Sequence, residues 1–135
     1  MSLNVRIIAP DRTVWDAEAK EIVLPSSTGQ LGILTGHIPL LTAVDIGVMR
    51  VRIDKEWIPI VLLGGFAEVE NNQVTILVNG AEEASEINLE HAQMMLDQAT
   101  IALNQAITNK DKIEATQNFR KARARVQAAT VEINT

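Results

Sequence analysis

Cysteine is absent from the 135 residues, which excludes disulfide staples, thiolate metal sites and a cysteine nucleophile. Tyrosine is absent as well, and two Trp with two Phe bring the aromatic content to only 3%. So few stacking platforms argue against single-stranded nucleic acid as a ligand. A formal net charge of −5 and a pI near 5.0 argue against a general polyanion binder. The two histidines, His37 and His91, are far apart, so a histidine-based metal centre would need carboxylate help and no metal is expected. No Gly precedes Lys-Ser or Lys-Thr as in a phosphate loop, and no G-x-S-x-G elbow occurs. The start, Met1-Ser2-Leu3-Asn4-Val5-Arg6, lacks the basic-then-apolar layout of a signal peptide. The uncharged run Trp57 to Ala67 is about half of the roughly 20 residues a membrane helix needs, so direct membrane insertion is not expected.

What is present is enough apolar material for a core: 47% hydrophobic against 21% charged. The length fits one ordinary domain, or a small domain with an appendage. From Leu3 to about Glu86 the chain reads as short strands broken by turn residues. Val5, Ile7 and Ala9 alternate with Arg6 and Ile8 before Pro10-Asp11-Arg12, and Ile22 with Leu24 stops at Pro25-Ser26-Ser27-Thr28-Gly29. Val48 to Ile53 is the cleanest period-2 segment, with Arg50 and Arg52 on one face. Asp54-Lys55-Glu56 is a hairpin-like connection, Gly64-Gly65 breaks the next run, and Asn71-Asn72 favours positive φ in a further hairpin turn. Closely spaced short strands predict an antiparallel sandwich or flattened barrel, with Pro59 tolerable at an edge or bulge.

After Glu86 the period changes. Leu89, Ala92, Leu96, Ala99, Leu103 and Ala106 form one helical stripe, with Asn88 placed to cap its start. Thr108 to Asp111 is the break. A second stripe follows at Ala115, Phe119, Ala122, Val126, Ala129 and Ile133, so the helices are expected to fold back as an antiparallel hairpin. Replacing Leu by Ala at a seam position removes on the order of 1–3 kcal/mol of burial. An alanine-rich hairpin is therefore expected to be less stable than the β part and able to undock alone.

Charge is divided unevenly. Residues 1–88 carry six basic and twelve acidic side chains, whereas residues 111–135 carry five basic and three acidic. Arg120, Lys121, Arg123 and Arg125 cluster in two turns of the second helix. One reading is a solvated face; the other is a surface that complements an acidic partner, since unpartnered like charges repel. His37 sits in a glycine-rich loop, Gly29 to Leu41, either as a structural histidine bonding loop carbonyls or as a surface recognition element. Gly29, Gly32 and Gly36 lack the strand-to-helix setting of a dinucleotide fingerprint, and Glu68 with Glu70, like the adjacent Glu82-Glu83, reads as a solubilising pair. No nucleophile–base pair is recognisable, and neither a catalytic residue nor a cofactor is expected.

The run Gly29-Gln30-Leu31-Gly32-Ile33-Leu34-Thr35-Gly36-His37-Ile38-Pro39-Leu40-Leu41-Thr42 resembles the epsilon subunit of F-type ATP synthases, especially of cyanobacterial and plastid type. Gly47-Val48-Met49-Arg50-Val51, Gly64 to Val69 and Val74-Thr75-Ile76-Leu77 support the likeness, which extends over essentially the whole chain. It implies an α+β protein: an antiparallel β-sandwich of about ten strands over residues 1–86, then a helical hairpin over 87–135. It implies a non-catalytic rotor subunit, peripheral on the thylakoid membrane, whose partners are the gamma subunit, the c-subunit ring and the alpha/beta catalytic head. Gln30, Leu31 and His37 match the loop that faces the c-ring, with Gln30 standing where the family commonly has an acid. Leu40, Leu41 and Thr42 match a gamma-facing region. The hairpin would either fold on the sandwich or extend into the head and inhibit ATP hydrolysis, with Arg120, Lys121, Arg123 and Arg125 meeting an acidic segment there. Some bacterial members bind ATP through Ile/Leu-Asp-x-x-Arg-Ala. Here Ile87-Asn88-Leu89-Glu90-His91-Ala92 lacks both charged residues, so ATP binding is not expected. Two other readings are a stand-alone nucleotide-sensing module, disfavoured by Asn88 and His91, and a small β-sandwich enzyme.

Overall fold

A computed structural model describes residues 2–134, the side chains of residues 132–134 excepted. Eight strands come first: β1 (Leu3–Ala9), β2 (Arg12–Ala19), β3 (Glu21–Ser26), β4 (Gly29–Leu34), β5 (Leu40–Ile53), β6 (Glu56–Glu70), β7 (Gln73–Val78) and β8 (Ala81–Glu83). A single 3-10 turn at Ala84–Glu86 leads to α1 (Leu89–Gln105) and α2 (Asn109–Asn134). The sheet order is β2-β1-β7-β6-β5-β3-β4, with β8 also on β6. Its inward side chains, among them Leu3, Val5, Ile7, Ile22, Leu24, Ile33, Met49, Ile60 and Ile76, form the main core.

Two expectations are corrected. Among the described residues there are eight strands rather than about ten, because β5 and β6 each run past the Gly64-Gly65 level as one strand, of 14 and 15 residues, instead of ending there. One pairing is parallel: β1 lies between β2 and β7, in register Asn4 with Gln73 through Ile8 with Leu77. The chain between β1 and β7 is long enough to make that crossover. The turns are as read: Asp54, Asn71 and Asn72 all take positive φ, the conformation that Asn and Asp tolerate best.

The long hairpin β5–β6 keeps one register from Leu40 opposite Val69 to Ile53 opposite Glu56, with pairing interrupted only at Asp45. Yet its inward-facing residues change parity. Ile60 and Leu62 face the core before the glycines, and Ala67 with Val69 after them; on β5, Val44 gives way to Met49 and Val51. The ribbon turns over there. Gly64 and Gly65 make this possible with φ of 85° and 157°, and a Cβ on Gly65 would strike the Leu77 carbonyl and lie 2.8 Å from Val78 Cα.

The helical half follows the predicted stripe on α1. Ala92 is buried and Leu89, Leu96, Ala99 and Leu103 half-buried along it, while the rest of α1 is exposed. Asn88 Oδ1 accepts from His91 N–H at 2.8 Å as the cap, and Thr108 Oγ1 accepts from Asp111 N–H at 3.1 Å. The break falls earlier than expected, at residues 106–108, because that Thr108 contact starts α2 at Asn109. On α2, Ala115, Ala122 and Ala129 are buried in the seam; the Ile133 side chain lies outside the described residues. A second alanine stripe on α2, Ala124 and Ala128, packs on Val61 and Ala84 with Ile46, Val48, Leu63 and Ile87 around it. The hairpin thus docks on the sheet through α2.

Gly65→Ala is expected to cost about 2–3 kcal/mol by forcing the Leu77–Val78 backbone to move. Gly32→Ala, where a Cβ meets nothing within 4 Å, is the control and should stay within about 0.5 kcal/mol. Urea midpoints at constant slope measure both, and equal midpoints would show that the turnover tolerates a side chain.

Candidate interaction surfaces

Beyond the turnover, the outward side of the sheet carries apolar residues where solvation would favour polar ones. Phe66 lies opposite Ala43 on one side and Leu77 on the other, and Leu77 opposite Ile8, so four strands contribute to one cross-strand row. The adjacent row runs Leu41, Glu68, Thr75, Arg6. Leu41 is 72% exposed, Phe66 59% and Leu77 53%, a contiguous apolar surface of a kind that soluble faces seldom leave open. These outward positions are out of phase with the inward Ala67, Val69, Ile76 and Val78. That phase was the signal available in sequence for Phe66, Leu77 and Ile8, which the linear reading missed.

The loop residues divide. Gln30 is exposed beside the β3–β4 turn, opposite Pro25, and Leu31 is half-buried against the core. His37 is at the other end of β4, half-exposed, with Nδ1 2.6 Å from its neighbour Ile38 carbonyl. Gly36 N–H donates to Asn72 Oδ1 at 2.8 Å, which ties this loop to the β6–β7 turn. His37 therefore sits with the start of β5, where Leu40 packs inward on the core, Leu41 points out and Thr42 is half-buried.

The basic cluster of α2 is met by the sandwich itself. Arg125 makes a bidentate pair with Glu82: Nε donates at 3.0 Å to each carboxylate oxygen and Nη2 at 2.7 Å. Each side chain is about one-third exposed. Hydrogen bonding to Glu82 raises the Arg125 pKa above its ordinary value, opposed by burial and helped by the carboxylate charge. A cation whose pKa is raised on folding contributes at every pH below its unfolded value and loses that contribution only in strong alkali, so Arg125 stays charged through the physiological range. Arg120 approaches Asp45 at 3.7 Å, a looser and more exposed contact. Arg123 is exposed with its guanidinium 5.4 Å from the Phe119 ring centre. Among the described residues, Lys121 and Arg123 make no ion pair within 4 Å, and no group of three or more His, Asp or Glu could hold a metal. Glu82, read in sequence with Glu83 as a solubilising pair, is instead the partner of Arg125, and Asp45 was not singled out; only the fold brings both beside α2.

Together these features define a two-part module, a β-sandwich with an open apolar face and a helical hairpin clasped to it by charge. The family model for the ATP synthase delta/epsilon chain β-sandwich domain matches residues 2–84, and that for its long α-helix domain matches residues 85–130. The chain belongs to the ATP synthase delta/epsilon family. It is 80% identical over 130 residues to the chloroplastic ATP synthase epsilon chain of Porphyra purpurea, covering 96% of this chain and 97% of that one. It is 69% identical to that of Guillardia theta, at 96% and 99% coverage, and 62% identical to the epsilon chain of Thermosynechococcus vestitus, at 96% and 96%. Its type is thus that of plastid and cyanobacterial epsilon chains, non-catalytic subunits of the synthase. The fold is shared with a chain of the Euglena gracilis mitochondrial ATP synthase at TM-score 0.82, 20% identity, and 96% and 81% coverage. It is shared too with one from the central stalk and c-ring of the Tetrahymena thermophila enzyme, at TM-score 0.67, 15% identity, and 96% and 97% coverage. No described helix is long and apolar enough to cross a membrane.

Asn88 spends its side-chain oxygen as the helix cap, and His91 stands exposed where the ATP-binding motif has an arginine. Isothermal titration of the full chain with ATP is expected to give no saturable heat at sub-millimolar ligand. A sub-millimolar dissociation constant would contradict the expectation.

Proposed function

We propose that the chain works in the central stalk of a plastid or cyanobacterial ATP synthase, as a non-catalytic rotor part that joins gamma to the c-subunit ring. The observation that carries this reading is the open apolar row Phe66–Leu77 with Leu41, on a face that α2 leaves uncovered. Such a surface needs a permanent partner, and gamma is the partner assigned to it, with Leu40 and Thr42 at its border. Gln30 and Leu31 form the c-ring side, where exposed Gln30 offers a neutral hydrogen bond; His37, at the other end of β4, is not part of that patch. Residues 1–86 act as the binding unit and 87–135 as a regulatory unit. Released from the sandwich, the hairpin would carry α2 to the alpha/beta head, where its basic residues meet an acidic segment and restrain ATP hydrolysis. The complex sits on the thylakoid membrane, and this subunit is peripheral to it.

Co-purification with gamma tests the reading. Phe66→Glu buries a charge in the contact, and about a hundredfold loss of affinity is expected, with thermal stability unchanged since residue 66 is exposed in the free chain. Binding at the original strength would remove gamma from this face. Ending the chain after Asn88 is expected to leave gamma binding intact and to raise ATP hydrolysis by the reconstituted complex; unchanged hydrolysis would deny the helices an inhibitory role.

A further inference from the structure

Resting on that reading of the helices, we propose that the four cations of α2 hold two opposed jobs. Arg125, assisted by Arg120, latches the hairpin shut on Glu82 and Asp45, while Lys121 and Arg123 are the ones available to an outside acidic surface. The geometry separates them. Arg125 spends both its Nε and Nη2 on one carboxylate, the fork-to-fork arrangement that makes an arginine pair directional and comparatively strong. Arg120 reaches Asp45 only at 3.7 Å with both side chains about two-fifths exposed, so its part is smaller and more readily screened. Arg123 faces away over Phe119, and Lys121 has no carboxylate within 4 Å among the described residues.

Packing explains why charge should decide. The helix meets the sheet through Ala124 and Ala128, small side chains that lie flat on Val61, Ile46, Val48 and Leu63, so its side of the contact is smooth and carries no large knob to key its position. Alanine lets the backbones approach, and the apolar seat favours docking, but the ion pairs add the direction that such a smooth contact lacks. The carboxylate on β8 and the one at the interrupted rung of β5 contact α2 at positions 125 and 120, with Ala124 between them. To present Arg125 to any other acid, α2 must first surrender Glu82. The cost of that exchange falls on opening and is recovered only in part on binding. A partner therefore gains most from the cations that the closed state does not use.

The absence of cysteine allows a direct test on the full chain. Glu56→Cys and Thr116→Cys, both at exposed positions, accept a fluorophore pair that reports the distance between the sandwich and α2. Glu82→Gln and Arg125→Gln are each expected to raise the open-to-closed ratio about tenfold, as expected for loss of a charge-assisted pair. Lys121→Gln and Arg123→Gln should not raise it. The exchange Glu82→Arg with Arg125→Glu should restore closure, which separates the pair from any unrelated damage to either site; a sandwich melting curve checks folding of each variant. An unchanged ratio in Glu82→Gln overturns the latch even if the chain binds gamma as proposed. In the reconstituted complex, Glu82→Gln should deepen inhibition of ATP hydrolysis, and Lys121→Gln with Arg123→Gln should relieve it. Effects of the same sign would overturn the division of labour while leaving the inhibitory role standing.

Discussion

The β5–β6 ribbon is the constraint on which the other features rest. Its register never slips, yet its faces exchange at Gly64-Gly65, so one pair of strands supplies three surfaces. Before the turnover, the outward residues Ile46, Val48, Val61 and Leu63 make the seat for α2. After it, the outward residues Ala43 and Phe66 supply half of the open apolar row, with Leu41 beside it. The inward side on both stretches is core. A sheet with a single unbroken alternation would place both outward patches in one continuous stripe, where a helix covering part of it would encroach on the rest. The glycine pair keeps the helix seat and the apolar row on separate stretches of the same ribbon.

The seat for α2 is built weakly in one respect and firmly in another. Alanine against a sheet contributes contact without much burial, whereas a two-pronged guanidinium–carboxylate pair contributes direction. A helix packed through small side chains and oriented by such a pair has a defined docked position and a short list of contacts to lose. That combination suits an element that must be found in one place or be absent from it, with few partly docked arrangements between. The same helix turns Ala115, Ala122 and Ala129 toward α1, so α1 travels with it and depends on α2 for its place.

Local pattern in the sequence specifies much of this architecture. The alternation in Val5-Ile7-Ala9, the asparagine turn at Asn71-Asn72, the Asn88 cap and the α1 stripe are all decided by residues within a few positions of one another, and they stand as read. What was not legible depended on pairing at a distance. Gly64-Gly65 looks like an end because glycine usually ends strands; only its neighbours Leu77 and Val78, across the sheet, show that it is a place where backbones nearly touch. The Ala124–Ala128 stripe was hidden by the stronger heptad beside it, since two faces of one helix overlap in a single periodic count. Glu82 and Asp45 are unremarkable acids in an acidic half until α2 is laid over them. The same holds for the open face: Phe66 and Leu77 stand in different strands, and a patch exists only once β6 and β7 are paired.

The parallel placement of β1 against β7 has a consequence for how the chain is born. On the ribosome β1 can form a hairpin with β2 at once, but its other edge waits for a partner synthesised some 70 residues later, a loop closure that costs entropy and slows folding. The core stays unsealed until then, with Val5 and Ile7 lacking half of their neighbours. The sandwich can close only once the chain through Ala81 has emerged, and the helices follow it to a seat that is already forming.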